Sequence, residues 1–271
     1  MPWTSQHIKW LQPASQSLKT ADGKTIEVRE FQHKSDAVVL SAWAKHFRHH
    51  YCLDIEIDTS RQGTGLSRSE YLTQLVFPDS TSKLGPPIRA GDFAEILVAD
   101  YVQYVLNYWV PRTRYCAKTV RDESTKGCDI IGLKLFGNGT PTSRDELMLF
   151  EAKAQFSGDS AKPRLQDAVD DSVKDQLRLA ESLNAMKRQL LRINNKEDAK
   201  KIERFQSRVD HPCKEVYGAA ALFTSEVLDP AEIGKTTTAH HPAADLQLVV
   251  IHGVAMMDLV HGLYRRAANE A

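Results

Sequence analysis

The stretch from Lys126 to Phe156 constrains the fold more than any other part of the chain. Two apolar runs, Ile130-Ile131-Gly132-Leu133 and Leu147-Met148-Leu149-Phe150, flank Gly137-Asn138-Gly139-Thr140-Pro141-Thr142-Ser143-Arg144-Asp145. Apolar runs around a segment of loop composition predict a hairpin, with strands at about 129–136 and 146–156. Side chains alternate along a strand, so Leu147, Leu149, Glu151, Lys153 and Gln155 share one face, apolar at its start and polar at its end. In an antiparallel pair the start of one strand lies beside the end of the other. Asp129 therefore stands next to Glu151 and Lys153.

Carboxylates this close repel, and each resists ionisation. A divalent cation relieves the repulsion. Mg²⁺ or Mn²⁺ on Glu95, Asp129 and Glu151 would orient a phosphate and lower the pKa of an attacking water, which Lys153 would position. Gln155, on the same face, would orient Lys153 or a phosphate. Taken one residue at a time, strand-end surface charge with Lys153 as an ion-pair partner explains these groups better. Their combination with two apolar strands favours the metal site.

These residues carry a resemblance. Asp129, then 21 residues, then Glu151-Ala152-Lys153 resembles the signature of the PD-(D/E)xK nuclease superfamily, with Cys128 where the pattern has proline. The resemblance implies a further acid on a preceding helix. A helix from Arg89 to about Tyr108 is apolar around much of its circumference, as buried helices are. Glu95 lies inside it and needs a partner there. Arg89-Ala90-Gly91-Asp92-Phe93-Ala94-Glu95 resembles the first helix of such nucleases, where Glu95 matches the acid. A salt bridge to Arg89 or another arginine is the alternative. Asp92 is the rival acid, and it could instead favour the helix N-terminal dipole.

The chain has 271 residues, with 35 Lys plus Arg and 35 Asp plus Glu, so it has no formal net charge. That excludes a strongly basic DNA-coating protein and permits a local basic groove. No apolar run reaches the ~18 residues of a membrane span. The first residues lack a signal-peptide core, so a cytoplasmic protein is expected. Cys52, Cys116, Cys128 and Cys213 show neither zinc-site nor disulfide-framework spacing.

Residues 1–85 read as an N-terminal α/β extension, with a strand over 25–31. A helix capped by Ser35 follows, with Val38, Val39, Ala42, Trp43 and Phe47 facing the core and His46, His49 and His50 at a solvated, half-buried end. A short helix over 67–76 comes next, and Leu84-Gly85-Pro86-Pro87 marks a segment boundary. Residues 86–271 read as a nuclease-like domain. Arg112, Arg114, Lys118, Arg121 and Lys126 form a basic run that is either a solvated loop or a phosphate track, and 112–120 includes a candidate strand. A long helix over 164–191, with Leu165, Ala168, Val169, Val173, Leu177, Ala180, Leu183 and Leu190 as its stripe, precedes a basic helix over 196–209. The pair reads as a helical insertion at about 164–209. Lys200, Lys201, Arg204 and Arg208 form the basic side, open to solvent, DNA or a partner. Residues 216–223 and 246–253 read as strands buried on both faces. Residues 232–244, with His240 and His241, read as an exposed loop, and a helix over 256–268 closes the chain.

The expected fold is therefore α/β, a mixed central sheet flanked by helices with a restriction-endonuclease-like core. The order of segments is also similar to the nuclease subunit, HamA type, of the Hachiman anti-phage defence system. The similarity spans Ala42–Tyr51, Arg89–Glu95, Gly127–Gly132 and Phe150–Lys153. It implies a metal-dependent deoxyribonuclease with little sequence preference, acting on DNA under a helicase subunit of the same operon. The alternatives are a non-catalytic nuclease-fold adaptor that binds DNA, and a sequence-specific restriction endonuclease. The last would need a base-reading element that the sequence does not display.

Overall fold

The computed structural model describes residues 4–137 and 139–271. Residues 1–3, at the start expected to lack a signal-peptide core, and Asn138 of the hairpin loop lie outside these. Among the described residues seven strands form a mixed sheet in the order β1-β3-β7-β6-β5-β4, with β2 pairing β3. The strands are β1 (Leu11–Pro13), β2 (Leu18–Lys19), β3 (Thr25–Phe31), β4 (Ile130–Lys134), β5 (Glu146–Gln155), β6 (Lys214–Thr224) and β7 (Gln247–Gly253). Strands β5, β6, β7 and β3 run parallel, and β4 is antiparallel to β5. Val28 pairs with Val250, so residues 25–31 extend the same sheet that holds the hairpin.

The expected α/β class holds, and its layers follow from the alternation in β5. Met148, Phe150 and Ala152 enter one core with α1 (Ala37–Tyr51), α4 (Gly85–Tyr104) and α9 (Met256–Asn269). Leu147 and Leu149 enter the other, with α5 (Arg164–Ser172), α6 (Asp175–Arg192) and α7 (Lys196–Gln206). Both faces of the central strands are covered, which is why their sequences are nearly continuous apolar runs. Gly218 is required by this packing, since a Cβ there would lie 2.2 Å from the Phe150 ring.

Several local expectations need correction. Asp36, not Ser35, caps α1, accepting from Val38 N and Val39 N at 3.0 and 3.1 Å. Val38 is 75% exposed and outside the core stripe. Short helices α2 (Asp54–Ser60) and α3 (Arg68–Tyr71) follow, α3 leading into a π-helical turn at Leu72–Val76. Gly85-Pro86-Pro87 forms the first turn of α4, where proline's missing N–H costs nothing. That helix stops at Tyr104, before Pro111, and Asn107 adopts φ 60°. Residues 112–120 hold no strand, only the short 3-10 turn Tyr115–Ala117. The long helix breaks at Val173 and Lys174. The break shifts the phase of the apolar stripe, so Leu179, Leu183 and Leu190 are buried while Leu177 is 86% exposed. Within 232–244, after the short α8 (Pro230–Ile233), Thr236, Thr238 and His241 are buried. Asp22 draws this segment inward, accepting from Thr238 N and Oγ1 at 3.0 and 2.7 Å.

The basic side of α7 is also not what its spacing suggests. Arg204 is buried, donating from Nη2 to Asp145 Oδ1 at 2.6 Å and to Phe136 O at 2.5 Å. It fastens the β4–β5 loop. Lys201 pairs with Asp198 at 2.7 Å, and Arg208 pairs with Glu215. Arg204→Ala should strand the buried Asp145 charge and lower the unfolding free energy by about 3 kcal/mol. Urea unfolding should then show a reduced midpoint at constant m. An unchanged midpoint would mean that the pair contributes no more than a surface one.

Candidate metal-binding and catalytic site

The β4–β5 register pairs Ile130 with Phe150, which puts Asp129 across from Glu151. Asp129 Oδ2 accepts from Ala152 N at 3.2 Å. Lys153 Nζ lies 2.6 Å from Glu151 Oε1 and 2.8 Å from Asp171 Oδ2 at the end of α5. Glu151 is 2% exposed, and its Oε2 has no hydrogen-bond partner. Asp129, Glu151 and Lys153 are thus together at one end of the sheet, with the lysine reaching toward solvent between two acids.

Glu95 approaches from α4 and is held by two partners. Arg114 Nε lies 2.7 Å from Glu95 Oε2, and Tyr115 donates its hydroxyl to the same oxygen at 2.5 Å. The same guanidinium reaches Asp129 Oδ1 at 2.7 Å through Nη2 and Thr125 O at 3.1 Å. Arg114 thus bridges Glu95 and Asp129, an arginine partner of the kind weighed against the metal role. Asp92 lies deep in α4, beyond its first turn, so the dipole reading does not apply. It accepts from Tyr51 and pairs with Lys118, each at 2.7 Å. Gln155 is engaged by the loop after β5, donating to Ser157 O and Ser160 O and accepting from Lys162 N.

The basic run is largely spent on acids of this region. Arg112 pairs with Asp100, Arg114 with Glu95 and Asp129, Lys118 with Asp92, and Arg121 with Asp79. Lys126 is exposed. Arg114 could not be singled out within a run of five similar cations by composition alone.

One acid of the region carried no signal in the sequence. Asp175 begins α6 just after the helix break, fully buried, with neither carboxylate oxygen hydrogen-bonded. Burial and then the Asp129 charge push its carboxyl up to about 7. Burial likewise raises Glu151 to about 9, with the charges of Asp129 and Asp175 adding to the effect and Lys153 opposing it. Burial lifts Glu95 to about 8 against the pull of Arg114. Lys153, despite burial, is held above its ordinary value by Glu151 and Asp171. A cluster of carboxylates that burial and mutual repulsion drive toward protonation suits a hard cation bound through oxygen.

A second cluster corrects the reading of the α1 end. His46, His49 and His50 are buried. Asp100 draws in His46, accepting from His46 Nε2 at 3.0 Å and from His7 Nε2 at 2.9 Å, with Arg112 Nη2 at 2.7 Å. His49 pairs with Asp54 at 3.1 Å. Among the described residues, His7, His46 and Asp100 are the one group of three or more such side chains whose potential ligand atoms lie within 4.8 Å of one another. The group could hold a metal ion, but Arg112 already supplies positive charge on Asp100. Glu95, Asp129 and Glu151 are not gathered that closely, because Arg114 stands between Glu95 and Asp129.

A mixed α/β sheet with an Asp and a Glu-x-Lys at one strand end is consistent, at the level of fold, with an α/β nuclease-like core. The family follows from a comparison of the whole chain. Residues 5–267 match the HamA family, and the chain belongs to it, a component of the multi-component Hachiman anti-phage defence system. No individually curated protein matches the chain. No helix among the described residues is long and apolar enough to cross a membrane.

The raised Glu151 carboxyl makes the metal-free protein pH-sensitive. Its proton is held more tightly in the folded than in the unfolded chain. The stability it contributes is therefore complete below its ordinary value of 4.5 and is lost as pH rises toward about 9. Glu151→Gln should flatten the fall in unfolding free energy over that range, by up to about 1.4 kcal/mol per pH unit. Urea titrations in EDTA at a series of pH values measure this. The buried histidines, whose slopes have the opposite sign, cancel in the comparison. Identical slopes would show that Glu151 is ionised throughout.

Proposed function

We propose that this HamA-family chain is a metal-dependent DNA nuclease that hydrolyses phosphodiester bonds with little sequence preference. The observation that carries the reading is Asp129 opposite Glu151, with Lys153 Nζ 2.6 Å from Glu151 Oε1 and Glu151 Oε2 left without a partner. The residues fit Mg²⁺ or Mn²⁺: carboxylate oxygens, a buried orphan acceptor, and a Glu151 carboxyl that burial and repulsion have raised. When bound, the ion supplies positive charge for the phosphate and lowers the pKa of an attacking water. Asp129 and Glu151 would hold it. Lys153, steadied by Glu151 and Asp171, orients the water and offsets phosphate charge. Glu95 acts on the site through Arg114, setting the charge beside Asp129.

Family membership supports work within a multi-component system, and a helicase subunit is the partner this reading assigns. A nuclease with little sequence preference needs restraint in its own cell. The α6–α7 pair offers exposed apolar side chains for docking, namely Leu177, Leu191 and Ile193. Lys200 is also exposed, whereas Arg204 is committed to Asp145.

Purified protein, alone or with its partner, should nick DNA with Mg²⁺ or Mn²⁺ and be silenced by EDTA. Glu151→Gln and Lys153→Ala should each reduce cleavage by about 100-fold or more. Circular dichroism would establish that both variants fold. Full activity in EDTA, or two folded variants that cut normally, would place the chemistry elsewhere.

A further inference from the structure

Arg89 is a buried cation that the candidate site does not use. It lies in the second turn of α4, is 5% exposed, and has no carboxylate partner among the described residues. Asp79 acts on it from a distance and is committed to Arg121 at 2.6 Å. A buried charge without a counter-ion is unfavourable, so its retention asks for a reason. Three contacts hold the side chain in place without neutralising it. Nε donates to Pro78 O at 2.7 Å, Nη1 donates to His261 Nδ1 at 3.4 Å, and the guanidinium lies 4.5 Å from the centre of the Tyr264 ring. Nη2 has no hydrogen-bond partner among the described residues and is not sealed in the core. The side chain lines a cavity of about 550 Å³ between the start of α4, residues 73–81 and α9.

The rest of this lining is rich in donors. Arg265, exposed on α9, has no ion pair among the described residues. His261 accepts at Nδ1, so its proton sits on Nε2 as a further donor. Burial, and then the Arg89 charge, keep this imidazole below its ordinary pKa and so neutral. Ser80 adds an exposed hydroxyl. Asp258 is the one acid of the lining. It is exposed, it stands in the first turn of α9, where the helix dipole favours it, and it pairs with neither arginine. An arginine fork suits an oxyanion, and the oxygens of a phosphate can use more donors than the two of a carboxylate. The volume exceeds what one phosphate fills and is of the size that small molecules occupy. A guanidinium this deeply set favours a small molecule over a nucleic-acid backbone.

We propose that this cavity binds a small phosphomonoester, with the phosphate on Arg89 Nη2 and the Arg265 guanidinium and the organic part in the remaining volume. The Tyr264 ring and the Pro78 carbonyl hold the Arg89 fork ready, so little side-chain freedom is lost when the phosphate arrives. The proposal uses none of the groups of the Asp129–Glu151 site and does not depend on the nuclease reading.

Calorimetric titration of the metal-free chain with AMP, ribose 5-phosphate, adenosine and inorganic phosphate checks this. At least one of the two esters should bind, and adenosine should bind about ten-fold or more weakly than AMP. Arg265→Glu, at an exposed position, should weaken ester binding by about ten-fold or more. Arg89→Lys keeps the charge and loses the fork, and it should weaken binding as well. Lys19→Ala, exposed on β2, should match the wild type. Should Arg89→Lys fail to fold, Arg265→Glu decides the matter. Esters that do not bind, or that bind Arg265→Glu with wild-type affinity, would overturn the proposal. Inorganic phosphate bound as tightly as both esters would reduce the cavity to a simple anion site and overturn the ester assignment. A 5′-phosphorylated DNA duplex that binds through Arg265 when neither ester does would overturn it in favour of a nucleic-acid contact.

Discussion

Strand β5 is hydrogen-bonded along both edges, to β4 on one side and to β6 on the other. The site depends on that double pairing. Because β5 is locked in register, Glu151 and Lys153 cannot slide relative to Asp129. A slip of one residue would also turn Leu147 and Leu149 out of one core and Met148 and Phe150 out of the other. The packing of two apolar layers therefore fixes the spacing of charges that contribute little packing themselves. Gly218 shows the same coupling from the β6 side, since its bare backbone gives the Phe150 ring its place one residue before Glu151.

That rigidity concentrates electrostatic conflict at the strand end. Glu151, Asp175 and Glu95 are all raised, first by burial. Arg114 relieves part of this between Glu95 and Asp129, and Lys153 relieves part between Glu151 and Asp171. The contrast with the Asp100 cluster is instructive. There burial also opposes ionisation, yet His46, Arg112 and His7 hold the carboxyl well below its usual range. One buried acid is completed by protein donors, and the other region leaves oxygens open. Structural networks tend toward the first condition, and ligand sites depart from it.

The hairpin, the buried parallel strands and the amphipathic outer helices were legible because each is a matter of local pattern. Asp129, Glu151 and Lys153 could be placed side by side from strand periodicity and hairpin direction alone. What escaped depends on partners distant in sequence. Nothing near α1 indicates that its three histidines are buried, because the acid that draws His46 in, Asp100, lies 54 residues away. Arg204 reads as part of a basic face, and its acid lies 59 residues earlier. The break after Ser172 has no proline or glycine to announce it, so the apolar stripe reads as one continuous helix and nothing singles out Asp175.

That break has a mechanical side. Asp171, which holds Lys153, is the next-to-last residue of one helix, and Asp175 begins the next, with only three residues between them. The first helix is seated on β5 and β6, whereas the second leads outward to α7 and its own exposed leucines. A tilt of the outer helices would act as a lever about this joint. It would change the separation of the lysine's anchor from the buried aspartate while the sheet stayed still. A protein gripping the far end of that lever could widen or tighten the acid cluster without touching it.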